Sequence, residues 1–221
     1  MEGALASEKH APGTDFFARA RARLALDVPP ALTDLTATGV RGDLDLDPSL
    51  WERAGVKATR PAAVLVPVID RAEPAVLLTQ RNANLASHAG QIAFPGGAID
   101  PGDSSPLAAA LREAHEEIGL DSGLVDPIGY LDLYLTFSGF RILPMVARID
   151  PAYRVTLNRA EVDEAFEVPL AFLMDAQNHA LQSRDQKGII RQYYAMAFPQ
   201  RYIWGVTAGI LRNLYERIYL G

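Results

Sequence analysis

A chain of 221 residues, 49% of them hydrophobic and 22% charged, is long enough to bury a core and too apolar to remain disordered. Its formal net charge is -6, and its lysines and arginines are scattered rather than clustered, which argues against nucleic acid as a partner while leaving single arginines able to hold a small anion. Cysteine is absent, which rules out disulfides, thiol nucleophiles and thiolate-bound zinc and agrees with a cytoplasmic location. No membrane association is expected either. Met1–Thr14 lacks an apolar signal segment, and the longest apolar run, Pro61–Ile69, is far short of the roughly 20 residues a membrane helix needs.

Residues 1–60 are rich in Ala, Asp and Pro. They hold one amphipathic helix after Thr14, with Phe16, Phe17, Ala20 and Leu24 on its apolar side, and then a loop-rich stretch over Val28–Asp47. This part reads as an N-terminal arm packing on a domain formed by residues 61–221. In that domain Ala62–Ile69 and Ala75–Gln80 are apolar runs joined by a turn at Asp70–Pro74, the pattern of a hairpin. Ile92–Phe94 is a short strand that stops at Pro95-Gly96-Gly97. A helix follows, then β-rich segments at Ile128–Thr136 and Arg141–Ile149 around a Ser138-Gly139 turn. One further strand at Ile189–Met196 precedes a C-terminal helix from about Tyr202. Hairpins mixed with helices, without regular crossovers, predict a mixed α/β fold in which a mixed β-sheet is sandwiched between helices.

The helix after Gly97 carries the chemistry. Ser105 is placed to cap it, Pro106 suits its first position, and Gly119 ends it. At 100° per residue, Leu107, Ala110, Leu111, Ala114 and Ile118 fall on one sector of roughly 100° and predict the buried face. Glu113, Glu116 and Glu117 share a neighbouring sector. Three like charges so close repel, and a hard divalent cation with oxygen ligands, Mg²⁺ or Mn²⁺, would relieve the repulsion. Taken alone, the triplet reads first as an acidic solvated face with Arg112 paired to Glu116, and only its context favours the metal.

Gly97, Asp103 and the run Arg112-Glu-Ala-His-Glu-Glu-Ile-Gly-Leu120 resemble the Nudix box, a loop–helix–loop signature of enzymes that hydrolyse nucleoside diphosphates linked to another moiety. Asp103 stands where Glu is usual, and the spacing to Arg112 is one residue longer. Both features are similar to the coenzyme A diphosphatase branch. Leu77-Leu-Thr-Gln-Arg81, His88-Ala-Gly90 and Phe94-Pro-Gly-Gly97 resemble the extended motif that precedes the box in that branch. Glu161-Val162, Phe166–Leu170 and Trp204–Ala208 are similar to its later features. Two positions depart from the pattern: Ala86 stands where an arginine is usual, and Asn82 replaces a small residue.

The resemblance implies a Nudix-type fold and metal-dependent hydrolysis of coenzyme A or its derivatives to 3′,5′-ADP and 4′-phosphopantetheine. It implies Glu113, Glu116 and Glu117 as metal ligands and Arg112 as the residue that orients them. Glu116 or Glu161 would act as base toward water. Glu164 and Glu167 are read as a polar strand face. Arg81, His88, Gly96 and Gly97 are the substrate-binding candidates, each with a plainer reading as ion pair, loop scaffold or turn. Trp204 and Tyr202 are expected to pack in the core rather than stack on a base. The partner is a small-molecule nucleotide, and a homodimer stays open as the assembly. Two other functions stay open as well: hydrolysis of another nucleoside diphosphate derivative (ADP-ribose, a dinucleotide or a nucleoside triphosphate), and a non-catalytic nucleotide-binding module.

Overall fold

The computed structural model describes residues 15–36, 41–42, 46, 59–186 and 189–220. Residues 37–40, 43–45 and 47 of the expected Val28–Asp47 loop lie outside them. The chain begins with helix α1 (Phe16–Arg23) and a single 3₁₀ turn at Pro30–Leu32, then the two-residue strand β1 (Arg41–Gly42). Strands β2 (Arg60–Ile69) and β3 (Ala75–Arg81) form the expected hairpin, and the short strands β4 (Ile92–Ala93) and β5 (Gly96–Ala98) follow. Helix α2 (Pro106–Ile118) leads to β6 (Val125–Tyr130), β7 (Tyr134–Leu135) and β8 (Phe140–Ile149). Strand β9 (Val162–Pro169) runs into the single turn α3 (Leu170–Leu173). The chain closes with β10 (Ala180–Gln186), β11 (Ile189–Phe198), β12 (Arg201–Trp204), α4 (Val206–Tyr215) and a wider helical turn over Glu216–Leu220.

Two sheets result. The larger is mixed, with β1-β7-β8-β2-β3-β4 in hydrogen-bonded order, β5 on β2, β6 on β8 and β9 on β3. Its axis is the parallel pairing of β2 with β8, in register from Arg60↔Phe140 to Ile69↔Ile149. Both faces of this pair are covered, so the two strands read as near-continuous apolar runs rather than alternating ones. Alternate residues still sort by face. Leu65, Ile69, Leu143 and Met145 pack with Ala110, Ala114 and Ile118 of α2. Val66, Val68 and Val146 pack on the other side with Phe16 and Ala20 of α1 and Leu211 and Leu214 of α4. The expected mixed sheet between helices is the observed fold.

The last segment differs from its sequence reading. Where one strand and a helix from about Tyr202 were expected, β10, β11 and β12 form a separate antiparallel sheet and the helix begins at Val206. Tyr202 lies on β12 and is 48% exposed, so it is not a core residue. Polar residues fill β10 (Gln182, Ser183, Arg184, Asp185), because one face of a small antiparallel sheet can be solvated, and that composition hides the strand. No helix among the described residues is long and apolar enough to cross a membrane.

Candidate active site

Helix α2 is built as its sequence dictates. The Ser105 hydroxyl accepts the Ala108 N–H at 3.1 Å, Pro106 occupies the first turn, and Gly119 closes the helix at φ 67°. A left-handed cap of this kind favours glycine. The buried face, however, is rotated from the expected one. Leu107 and Leu111 are only partly buried, whereas Ala109 and Glu117 are buried. The cause is β5, which pairs with β2 and folds against the helix on the side of the carboxylates.

The three glutamates therefore occupy three environments. Glu117 is 3% exposed, and one of its oxygens accepts the Gly96 N–H at 3.3 Å. Glu113 is half-buried beneath Gly97, where a Cβ would lie 2.6 Å from its carboxyl carbon, so only glycine fits that position without displacing the carboxylate. Glu116 is exposed. Gly96 sits at φ 150°, and a Cβ there would meet the Ala63 carbonyl oxygen at 2.5 Å. Backbone packing requires the glycine at 96, a Cβ at 97 would push the Glu113 carboxylate aside, and both positions line a large cavity.

Arg112 ties the constellation together. Its Nε donates to Asp103 Oδ1 at 3.0 Å and one terminal nitrogen to Asp103 Oδ2 at 3.1 Å, a two-pronged grip. The other terminal nitrogen donates to Glu113 at 2.9 Å and Glu116 at 3.1 Å. The hydrogen bonds from Arg112 hold the Asp103 carboxyl below its ordinary range, and Asp103 in turn raises the Arg112 guanidinium further. Sequence alone gives Asp103 a motif position and no role; in the structure it anchors Arg112. The signal was available, since a fixed guanidinium fork needs a carboxylate partner.

Burial, not pairing, governs the two inner glutamates. Desolvation pushes Glu117 up to about 7, against the smaller downward effects of the Gly96 N–H and Arg81. Glu113 is also raised by burial, with Arg112 opposing. Glu161 adds to the upward push on both, which places it near them. Its carboxylate accepts the Asn158 side-chain N–H at 3.0 Å, a positioning contact that sequence reading did not find. Glu164 and Glu167 are committed elsewhere, to Arg201 and to Arg71 with Tyr153.

Among the described residues, no three His, Asp or Glu side chains are gathered as a ready ligand set. Arg112 draws Glu113 and Glu116 one way, and Gly96 draws Glu117 the other. The donors nonetheless suit a hard cation. They are carboxylate oxygens, two of them under-compensated in a partly desolvated site, and a divalent ion would relieve that repulsion.

The cavity is about 890 Å³ and meets this site at Gly96, Gly97 and Arg81. Arg81 lies 3.7 Å from Glu117, and its Nε is buried with no hydrogen-bond partner among the described residues. Of the two roles that the sequence left open, the ion pair is the one present, and one donor is left unsatisfied. His88 also lines the cavity, adopts φ 56° and pairs through Nδ1 with the Gln91 side chain at 2.9 Å, so it is held as a loop residue facing the space. Ala86 is exposed on the same loop. Trp204 lines the cavity beside Tyr193, ring centroids 5.6 Å apart, instead of filling the core.

A family model described as the NUDIX domain matches residues 59–189. The chain is 40% identical over 159 residues to an uncharacterized Nudix hydrolase, NudL, of Escherichia coli, covering 72% of this chain and 83% of the relative. A protein of the same description from Citrobacter koseri is 41% identical over the same length and the same shares. Among solved structures, the Nudix hydrolase RenU of M. smegmatis is 27% identical, with 49% of this chain and 70% of that chain covered and a TM-score of 0.42.

Proposed function

The chain belongs to the Nudix hydrolase family, whose members cleave diphosphate linkages in nucleotide derivatives, and from that membership we propose that its substrate is coenzyme A or one of its derivatives. The products would be 3′,5′-ADP and 4′-phosphopantetheine. The observation that carries the hydrolytic part is the Arg112 fork, which binds Asp103, Glu113 and Glu116 in one cluster beside the buried Glu117. The coenzyme A part is supported by the extended motif around Arg81, His88 and Gly97 and by the large cavity it lines.

In this reading Glu113 and Glu117 would hold a divalent cation, Mg²⁺ or Mn²⁺, and Glu116 would join them directly or through water. When bound, the ion offsets diphosphate charge and supplies an activated water for attack at phosphorus. Arg112 keeps Glu113 and Glu116 together, and Asp103 keeps Arg112 in place. Glu116, which is exposed, or Glu161, which Asn158 fixes, accepts the proton from the attacking water. Arg81, whose Nε has no hydrogen-bond partner among the described residues, holds a diphosphate oxygen. Gly96 and Gly97 let that group approach the backbone. The protein would work in the cytoplasm on small-molecule nucleotides, with residues 1–60 as an arm on the catalytic domain.

Ala86 favours one second reading, a Nudix hydrolase of another nucleoside diphosphate derivative, because the branch's usual arginine is missing from the cavity-side loop. Incubation with Mg²⁺ and a panel of coenzyme A, ADP-ribose, a dinucleotide and a nucleoside triphosphate, with products identified by mass, decides between them. Coenzyme A cleavage that EDTA abolishes is the expected result. A preference for ADP-ribose over coenzyme A of about tenfold or more, some 1.4 kcal/mol, overturns the coenzyme A assignment.

A further inference from the structure

Asn82, one of the two departures from the extended motif, stands where strand β3 leaves its ladder with β9. That ladder runs regularly from Ala75↔Pro169 to Gln80↔Glu164 and then shifts, so that Arg81 faces Val162 and Asp163 is left over. One extra residue on a single strand is a β-bulge, a device that bends the strand and re-aims the side chains beyond it. Here the shift falls at Arg81, which faces Glu117.

Side chains stitch the bulge together. The Ala83 N–H, just past the shift, donates to Asp163 Oδ2 at 3.0 Å, and the Arg159 guanidinium donates to the Asp163 carbonyl. The Asn82 backbone N–H donates to the Glu161 carbonyl at 2.8 Å, its side-chain amide donates to the Arg159 carbonyl at 2.7 Å, and its Oδ1 accepts the Asn84 N–H at 2.8 Å. Alanine or glycine here could make neither of the last two bonds. On its far side the same turn is tied to helix α2, where the Asn158 N–H donates to the Glu117 carbonyl at 2.9 Å. Residues 158–163 are thus strung between the end of β3, which carries Arg81, and the end of α2, which carries Glu117. Asn158 Nδ2 holds Glu161 Oε1, and the other carboxylate oxygen of Glu161 has no hydrogen-bond partner among the described residues. Glu116, by contrast, is exposed and already bonded to Arg112.

We propose that Asn82 and Asp163 are positioning residues: they lock the bulged turn so that Glu161 stands fixed beside Glu113 and Glu117, and Glu161 rather than Glu116 takes the proton from the attacking water. The proposal rests on the hydrolytic reading of the site and is independent of which nucleotide is cleaved. It gives the departure at position 82 a function, since the side chain that departs is the one that bonds the turn.

Asn82→Asp keeps the shape of the side chain and the acceptor for Asn84 but replaces the donor to Arg159 with a carboxylate oxygen. On whichever substrate the panel identifies, it should lower kcat by about 10- to 100-fold with KM within about twofold, because the turn acts on the water and not on substrate binding. Asp163→Ala should follow it, and Asp163→Asn, which keeps an oxygen for the Ala83 N–H, should retain most of the turnover. Glu161→Gln should be slow by itself, and adding Asn82→Asp to it should cost no more than about twofold further, since both changes act through one carboxylate. A full additional loss in the double variant, or unchanged turnover in Asn82→Asp, overturns the positioning role. Normal turnover of Glu161→Gln beside an inactive Glu117→Gln overturns the assignment of Glu161 and leaves metal-dependent hydrolysis standing. Hydrogen exchange of the metal-free protein reads the lock without turnover. Asn82→Asp should speed exchange over residues 158–163 and leave α2 as in wild type, and unchanged exchange over that turn also overturns the proposal.

Discussion

Replacing Glu117 by glutamine separates the burden of a buried carboxylate from its use. In the metal-free protein the carboxyl is held at about 7 instead of its ordinary 4.5, chiefly by burial. A raised carboxyl binds its proton more tightly in the folded state, so the folded state is favoured where both states are protonated. Between about 4.5 and about 7 the unfolded chain releases the proton while the folded chain keeps it, and stability falls as pH rises. At about 1.36 kcal/mol per unit, the full loss above that window is roughly 3 kcal/mol. Glutamine has the same shape, keeps an oxygen for the Gly96 N–H and does not ionise. Unfolding followed in EDTA should therefore show the variant gaining on wild type by about 2–3 kcal/mol between about pH 5 and about pH 8. For a chain of this size that is roughly 5–10 °C in Tm. Added Mg²⁺ should narrow the gap at the higher pH by stabilising wild type, by about 2.7 kcal/mol at a hundredfold excess over Kd. The same variant should lose orders of magnitude in turnover, because an amide is a poor charge partner for the ion. A Tm difference that stays constant across the pH window would refute the argument that desolvation of Glu117 is what the fold tolerates here.

Three further outcomes are expected. Asp103→Asn removes one charge from the Arg112 grip and should lower kcat by about 10- to 100-fold with little change in Tm, as measured on whichever substrate the panel identifies. Gly97→Ala places a methyl group against the Glu113 carboxyl and should reduce activity sharply while the protein still folds, which circular dichroism alongside the rate assay would show. Arg81→Ala should cost roughly 10- to 150-fold in kcat/KM on coenzyme A, the loss of one charge-assisted hydrogen bond. If Arg81 holds the diphosphate, dephospho-coenzyme A should suffer equally, and a loss confined to coenzyme A would move Arg81 to the ribose phosphate.

Local chemistry made much of this protein legible in one dimension. Ser105, Pro106 and Gly119 set the limits of α2, because capping and left-handed backbone are decided within a turn or two of chain. The β2–β3 hairpin followed from two apolar runs and a polar turn, and the grouping of Glu113, Glu116 and Glu117 followed from helical spacing. What periodicity did not contain is how neighbours from distant sequence arrive. The helix rotated its buried face toward Glu117 because β5 closes over it, and that closure makes one glutamate buried, one half-buried and one exposed. Likewise β10 and β12 carry too little apolar alternation to announce themselves, and the bulge at Asp163 exists only once β3 and β9 have found their register. The sequence determined which residues can do chemistry. Burial and electrostatic environment depend on contacts between segments tens of residues apart, so only the tertiary structure decided which carboxylate is desolvated, which carboxylate anchors Arg112, and which cations share a cavity wall.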